Sequence, residues 1–162
     1  MYVKRKLGEG LNSFSNLRFP FSRSIRSAHR YDVVVGIGGN LGDLKRRFEH
    51  LFFFFQRDKR IELYKTSLIL QNPPFGYKEQ DDFLNSIMFF KTSMQPRAFL
   101  RYLLKVEKHF GRKRSFPNAP RTLDLDIIFF NDRKIDTQEL KVPHPHWHER
   151  ESVVIPLLGA LK

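Results

Sequence analysis

The chain has 162 residues, 41% hydrophobic and 14% aromatic, which is enough apolar material for one folded domain and too much for a disordered chain. Its lack of cysteine excludes a disulfide scaffold, thiolate catalysis and cysteine-based metal sites. The longest conspicuous apolar run, Leu51 to Phe55, falls far short of the roughly 18 residues of a membrane helix. Lysine and arginine number 29 against 17 acids, and the resulting +12 points to an anionic partner: a nucleic acid, an acidic surface or a polyphosphate.

Residues 1–30 supply +6 of that +12, with Lys4, Arg5, Lys6, Arg18, Arg23, Arg26 and Arg30 against the single acid Glu9. Rich in Ser, Arg and Asn and without a sustained apolar period, they read as a basic, flexible extension before one domain over 31–162. Deleting them is expected to leave turnover near that of the full chain.

Order is expected from Tyr31 onward. The β-branched run Val33–Ile37 reads as a buried strand, and Gly38 to Asp43 as the turn that feeds a helix. Leu41, Leu44, Phe48, Leu51, Phe52 and Phe55 recur on one face of that helix. Residues 61–70 are β-rich, Pro73-Pro74-Phe75-Gly76 interrupts a polar loop over 71–82, and Phe83 to Lys91 reads as another strand. Pro96 opens a second helix with Phe99, Leu100, Leu103, Val106 and Phe110 on one face and Gly111 as its stop. Asp124 to Asn131 is a further strand, and a short helix is expected after Pro143. The order βαββαβ predicts an α+β fold with a ferredoxin-like core, a mainly antiparallel sheet with helices packed on it.

The glycine cluster Gly36-Ile37-Gly38-Gly39-Asn40-Leu41 lacks the third Rossmann glycine and any Gly-Lys-Ser/Thr, so it reads as a structural turn in which Asn40 can order a nearby site. In Arg121-Thr122-Leu123-Asp124-Leu125-Asp126, strand alternation puts Asp124 and Asp126 on one face and Leu125 and Ile127 on the other. Two carboxylates that close repel unless a cation neutralises them, and Mg²⁺ with a polyphosphate supplies one. Arg112, Lys113, Arg114 and Arg121 flank a Pro/Asn-rich loop and suit phosphate oxygens; taken by itself, the Arg112–Arg114 run reads as a solvated loop. Three alternating histidines, His144, His146 and His148, match no zinc motif, and one of them contacting a phosphate is the better reading. An RNA-binding module of the RRM type would share the fold and charge, but no RNP1 string occurs, and paired strand carboxylates would repel RNA phosphates.

Five motifs in order, GIGGNLGD at 36–43, PPFG with DDFLNS, EKHFGRKR, PRTLDLDI at 120–127, and VPHP followed by Arg150 and IPLL, resemble the 6-hydroxymethyl-7,8-dihydropterin pyrophosphokinase family over residues 32–158. The resemblance implies transfer of pyrophosphate from ATP to the hydroxymethyl pterin, giving AMP, in folate biosynthesis. By the same resemblance Asp124 and Asp126 hold two Mg²⁺ ions, and Asp124 also orients the pterin hydroxyl. Arg112 and Arg121 are the catalytic cations, Arg114, His144 and Arg150 are further ATP phosphate contacts, and Glu107 and Ile127 lie near the nucleotide. Phe83 stacks on the pterin, Asn85 bonds its edge, and Pro74 and Phe75 belong to a loop that closes on it. The implied partners are ATP and the pterin, with no nucleic acid and no membrane, in a cytoplasmic monomer. The chain departs from the family pattern at Phe116 and Asn118, where many relatives carry a tryptophan. It departs again at Ser152, where an aromatic is common, leaving that face of the pterin open or covered by Trp147.

Overall fold

The computed structural model describes residues 1–113 and 116–162. Its strands are β1 (Val3–Gly8), β2 (Leu11–Ser15), β3 (Phe21–Ser22), β4 (Tyr31–Gly39), β5 (Ile61–Thr66), β6 (Ile69–Asn72), β7 (Phe83–Thr92), β8 (Asp124–Phe130), β9 (Ile135–Asp136) and β10 (Lys141–Val142). Helices α1 (Leu44–Arg57), α2 (Pro96–His109) and α3 (Glu151–Ala160) complete the chain, with a 3₁₀ turn at Trp147–Glu149 before α3. The main sheet is antiparallel in the order β1-β2-β6-β7-β4-β8, and β5 joins it by pairing with β7 and β3. The expected α+β architecture, with β4-α1-β5/β6-β7-α2-β8 as its ferredoxin-like core, is the one observed. No helix among the described residues is long and apolar enough to cross a membrane.

Helix α1 starts where the Asp43 carboxylate accepts from the Arg46 backbone N–H at 3.2 Å, three residues later than Leu41, which is exposed. Its Leu44, Phe48, Leu51, Phe52 and Phe55 pack with Phe99, Leu103 and Val106 of α2 on one face of the sheet, against Val33, Val35, Ile37, Phe90, Leu125 and Phe130. Strand alternation sends Ile87 and Phe89 of β7 to the opposite face, where Val153 and Leu157 of α3 cover them.

Residues 1–30 are not a flexible extension. They form β1, β2 and β3, and β1–β2 extends the sheet beyond β6. Phe14 and Phe19 enter the core, and the Phe19 ring packs against Phe48 and Phe52 at 6.1 Å from each. Two acids of the remaining chain anchor the segment. Glu49 accepts from the Tyr2 hydroxyl at 2.9 Å and from the Asn16 amide, and Arg18 lies 3.4 Å away. Glu62, itself buried, accepts from the backbone N–H groups of Arg26 and Ser27 at 2.7 and 2.8 Å and pairs with Arg23 at 3.5 Å. Composition misleads here for a physical reason: β1 is an edge strand exposed on both faces, and a basic, polar sequence suits an edge that must not pair with another chain.

Deletion of residues 1–30 therefore strips core side chains as well as charge. Phe19→Ala is expected to lower unfolding free energy by about 3–5 kcal/mol, the usual cost of removing a fully buried ring, read from urea denaturation. Burial by itself would raise the Glu62 pKa, but hydrogen bonds from Ser27 and Arg26 and the charge of Arg23 outweigh it and hold the carboxyl below its ordinary value. Glu62→Gln should then cost about 1.5–3 kcal/mol at neutral pH. A depressed pKa contributes stability above the unfolded-state value and loses it as pH falls, so the gap to wild type should close in acid denaturation series below about pH 4.

Candidate active site

The site is built on the register of β4 with its two neighbours. Gly36 and Gly38 of β4 stand opposite Ile87 and Asn85 of β7 on one side and opposite Asp126 and Asp124 of β8 on the other. Both glycines lie within β4, Gly38 among them although the sequence predicts a turn from there on, and they leave a trough in the sheet. A Cβ on Gly38 would collide with the Asn85 side-chain oxygen, and one on Gly36 would stand 3.3 Å from Ile128.

Over this trough lies a cleft of about 360 Å³ lined by Pro74, Phe75, Phe83, Asn85, Arg121, Asp124, Asp126, His144 and Arg150, nine of the residues anticipated from sequence. A second cavity of about 380 Å³ adjoins it, lined by Arg112, Lys113, residues 116–120, Arg121 and Asp124. Asn118, Arg121 and Asp124 belong to both.

At that shared wall Asp124 takes an Arg112 Nη1 hydrogen bond at 3.0 Å on one oxygen and faces Arg121 Nη1 at 3.4 Å with the other. Arg112 also donates to the Leu123 carbonyl at 2.9 Å, and the Arg121 guanidinium sits 5.1 Å above the Phe83 ring. Asp126 is pushed well above the ordinary carboxylate range by burial first and then by the charges of Asp124 and Glu107, against the opposing pull of Arg150 and Arg112. Such a crowded pair of carboxylates is a fitting donor set for a hard divalent cation. No cluster of three or more His, Asp or Glu forms a metal cage among the described residues, so a cation here would draw its remaining ligands from phosphate and water. His144 is held below the ordinary imidazole value by burial, Arg150 and His146, which leaves it neutral near pH 7. Arg150 stacks over Phe75 at 5.3 Å across the cleft mouth.

Two anticipated residues line neither cavity. Glu107 is buried on α2, where its carboxylate accepts from the Leu125 N–H at 2.7 Å and lies 3.8 Å from Arg112, so it holds β8 and Arg112 from behind. Ile127 points into the core between sheet and helices, as strand alternation requires. Arg114 lies outside the described residues. Trp147 packs on Phe129 at 5.1 Å and lines neither cavity, whereas Ser152 does line the cleft.

Sequence reasoning missed Asn72, Lys78, Asn118 and Ile128, all in the cleft wall. Ile128 stands there by plain alternation, on the face of Asp124 and Asp126, and the β-bulge opposite Val34 and Val35, which leaves it without a partner, acts beyond it by keeping Phe129 off the core face and returning Phe130 to it. Asn118 has φ +59 and presses on Gly76, while Tyr77 meets Phe116 edge-on at 5.4 Å, so the loops on either side of the cleft touch.

Residues 34–161 match the sequence profile of 7,8-dihydro-6-hydroxymethylpterin-pyrophosphokinase. The chain belongs to that family. Over 151 residues it is 44% identical to the 2-amino-4-hydroxy-6-hydroxymethyldihydropteridine pyrophosphokinase of Campylobacter jejuni, spanning 92% of this chain and 96% of that protein. The enzymes of the same name from Helicobacter pylori and Aquifex aeolicus are 42% and 37% identical, in alignments that span 77% and 78% of this chain and 78% of each enzyme.

Within this pyrophosphokinase fold, Asn40 is the seam of the site. Its buried side chain accepts from the Arg121 backbone N–H at 2.9 Å and donates to Gln80 at 2.8 Å and to the Asp81 carbonyl at 2.9 Å. Arg47 of α1 adds a bond to the Thr122 carbonyl at 2.9 Å. Asn40→Ala is expected to lower stability by about 1–3 kcal/mol, the cost of orphaned buried polar groups, and to speed hydrogen exchange at the Arg121 amide; urea unfolding and exchange mass spectrometry check both.

Proposed function

We propose that this chain transfers pyrophosphate from ATP to 6-hydroxymethyl-7,8-dihydropterin, giving AMP and the pterin pyrophosphate. One observation carries the reading: two cavities of substrate size share a wall made of Asp124 and Arg121, where an acceptor in one meets a polyphosphate in the other. The 360 Å³ cleft, with Phe75 and Phe83 as aromatic surfaces and Asn85 as an amide, suits a flat heteroaromatic ring that carries hydrogen-bonding edges. The arginine-lined cavity suits the phosphates of ATP.

In the reaction, the pterin hydroxymethyl oxygen bonds to the β-phosphorus, the bridge to the α-phosphorus breaks, the hydroxyl proton is released, and AMP leaves. Asp124, common to both cavities, orients the hydroxyl. Arg112 and Arg121 offer planar donor forks to the oxygens of the transferring group, and Glu107 holds Arg112 in reach from behind. Phe83 below the pterin and Phe75 with Arg150 at the mouth exclude water, and His144 and Arg150 add donors at the phosphate side. Asp124 and Asp126 would hold Mg²⁺, two ions in this reading, whose chemistry is to neutralise the phosphate charge that the attacking oxygen must approach. The reaction requires no covalent nucleophile, since such a transfer depends on positioning and charge.

The test is AMP formation by the purified full chain given MgATP and the hydroxymethyl pterin, with none expected when the pterin is omitted. Asp126→Ala should reduce the rate at least about a hundredfold while far-ultraviolet circular dichroism stays that of wild type. A folded variant within about threefold of wild type, less than roughly 0.7 kcal/mol in barrier, would remove Asp126 from the metal site.

A further inference from the structure

The amide of Asn85 has two ends of opposite polarity, and the end that faces the cleft decides which ligand edge it accepts. Asn72, the last residue of β6, controls that choice. The β6–β7 register pairs Leu70 with Asn85 and Asn72 with Phe83, so Asn72 and Asn85 are diagonal neighbours on one face of the sheet. Both line the cleft. The Asn72 amide N–H donates to the Pro73 carbonyl at 3.0 Å, which leaves its side-chain oxygen as the acceptor for Asn85. Asn85 Nδ2 donates to that oxygen at 2.7 Å. With its amino end so engaged, Asn85 holds its carbonyl oxygen over the bare backbone of Gly38, where any β-carbon would strike it.

We propose that Asn72 is a positioning residue that fixes the Asn85 amide with its oxygen toward the ligand, so that the site selects a ring edge of N–H donors. The inference rests on the pyrophosphokinase reading and deepens it. A 2-aminopyrimidin-4-one edge offers such donors at its 2-amino group and N3. An analogue with oxygen in place of the 2-amino group sets an acceptor against the Asn85 oxygen and leaves a polar group unpaired. β6 is in turn held by β2, through the pairing of Asn12 with Gln71 and a 3.3 Å bond between their side chains, so the N-terminal hairpin backs the strand that carries Asn72.

The experiment is calorimetric titration of the full chain, with a non-hydrolysable ATP analogue present, using the hydroxymethyl pterin and its 2-oxo counterpart. Wild type is expected to prefer the 2-amino ligand at least tenfold. Asn72→Leu frees the Asn85 amide to turn, so pterin binding should weaken about tenfold and the preference should fall below threefold, while affinity for the ATP analogue stays unchanged. Asn72→Asp keeps an acceptor oxygen at the same place and should retain the wild-type preference, which a merely structural role of the side chain would not predict. If Asn72→Leu is too unstable to titrate, Asn72→Ala serves, with the same expectation. A preference unchanged in the Leu or Ala variant overturns the inference, and so does its loss in the Asp variant. Wild type that titrates with neither ligand and forms no AMP overturns the underlying reading and this inference with it; wild type that turns over but shows no preference overturns the inference and leaves the reading intact.

Discussion

Strand β4 is held on both edges, by β7 and by β8, and that double pairing is the constraint from which the site follows. A strand so held cannot slip by one residue without turning its valines and isoleucine out of the core and its glycines into it. Val33, Val35 and Ile37 face α1 and α2, and Gly36 and Gly38 are left facing the cleft. The same register delivers Asn85 and Ile87 to one bank of the trough and Asp124 and Asp126 to the other. Apolar burial on one face thereby sets polar geometry on the other.

Placing two carboxylates side by side on a strand is electrostatically unfavourable, and the surrounding residues answer it unequally. Asp124 is met by Arg112 and Arg121, while Asp126 has burial and two neighbouring acids to contend with and only more distant cations in its favour. The arrangement has its natural complement in a divalent cation and a polyphosphate, which between them supply positive charge at the carboxylates and negative charge at the arginines. The guanidinium groups thus have two possible anionic partners, Asp124 and phosphate, at the wall where the two cavities meet.

Polar side chains also tie together segments that are distant in sequence. Asn40, just past β4, and Arg47, in the first turn of α1, hold the start of the Arg121–Asp124 stretch, and Glu107 binds β8 to α2. Glu49 and Glu62 do the same for the first thirty residues. The site is therefore assembled from loops and strand ends whose backbone positions are set by hydrogen bonds to buried or half-buried side chains, a rigid support of the kind phosphoryl transfer requires.

The sequence by itself determined the helices, the core strands and the acidic pair, because these are local: apolar residues at period 3.6 or 2, a proline at a helix start, and alternation that puts Asp124 and Asp126 on one face. Its motifs also identified most of the cleft lining, including Phe83, Asn85 and Arg121. Tertiary structure decided what depends on partners far along the chain. The N-terminal strands have too little apolar character to announce themselves, and their order comes from Phe14 and Phe19 meeting a core built elsewhere and from Glu49 and Glu62 receiving their donors. The bulge that returns Phe130 to the core exists only in the pairing of β8 with β4, and the contact that orients Asn85 needs β6 beside β7. Gly36 and Gly38 look like turn residues in sequence and are the floor of a site in the fold, since the space left by a missing side chain has meaning only once Asn85 and Ile128 stand beside it.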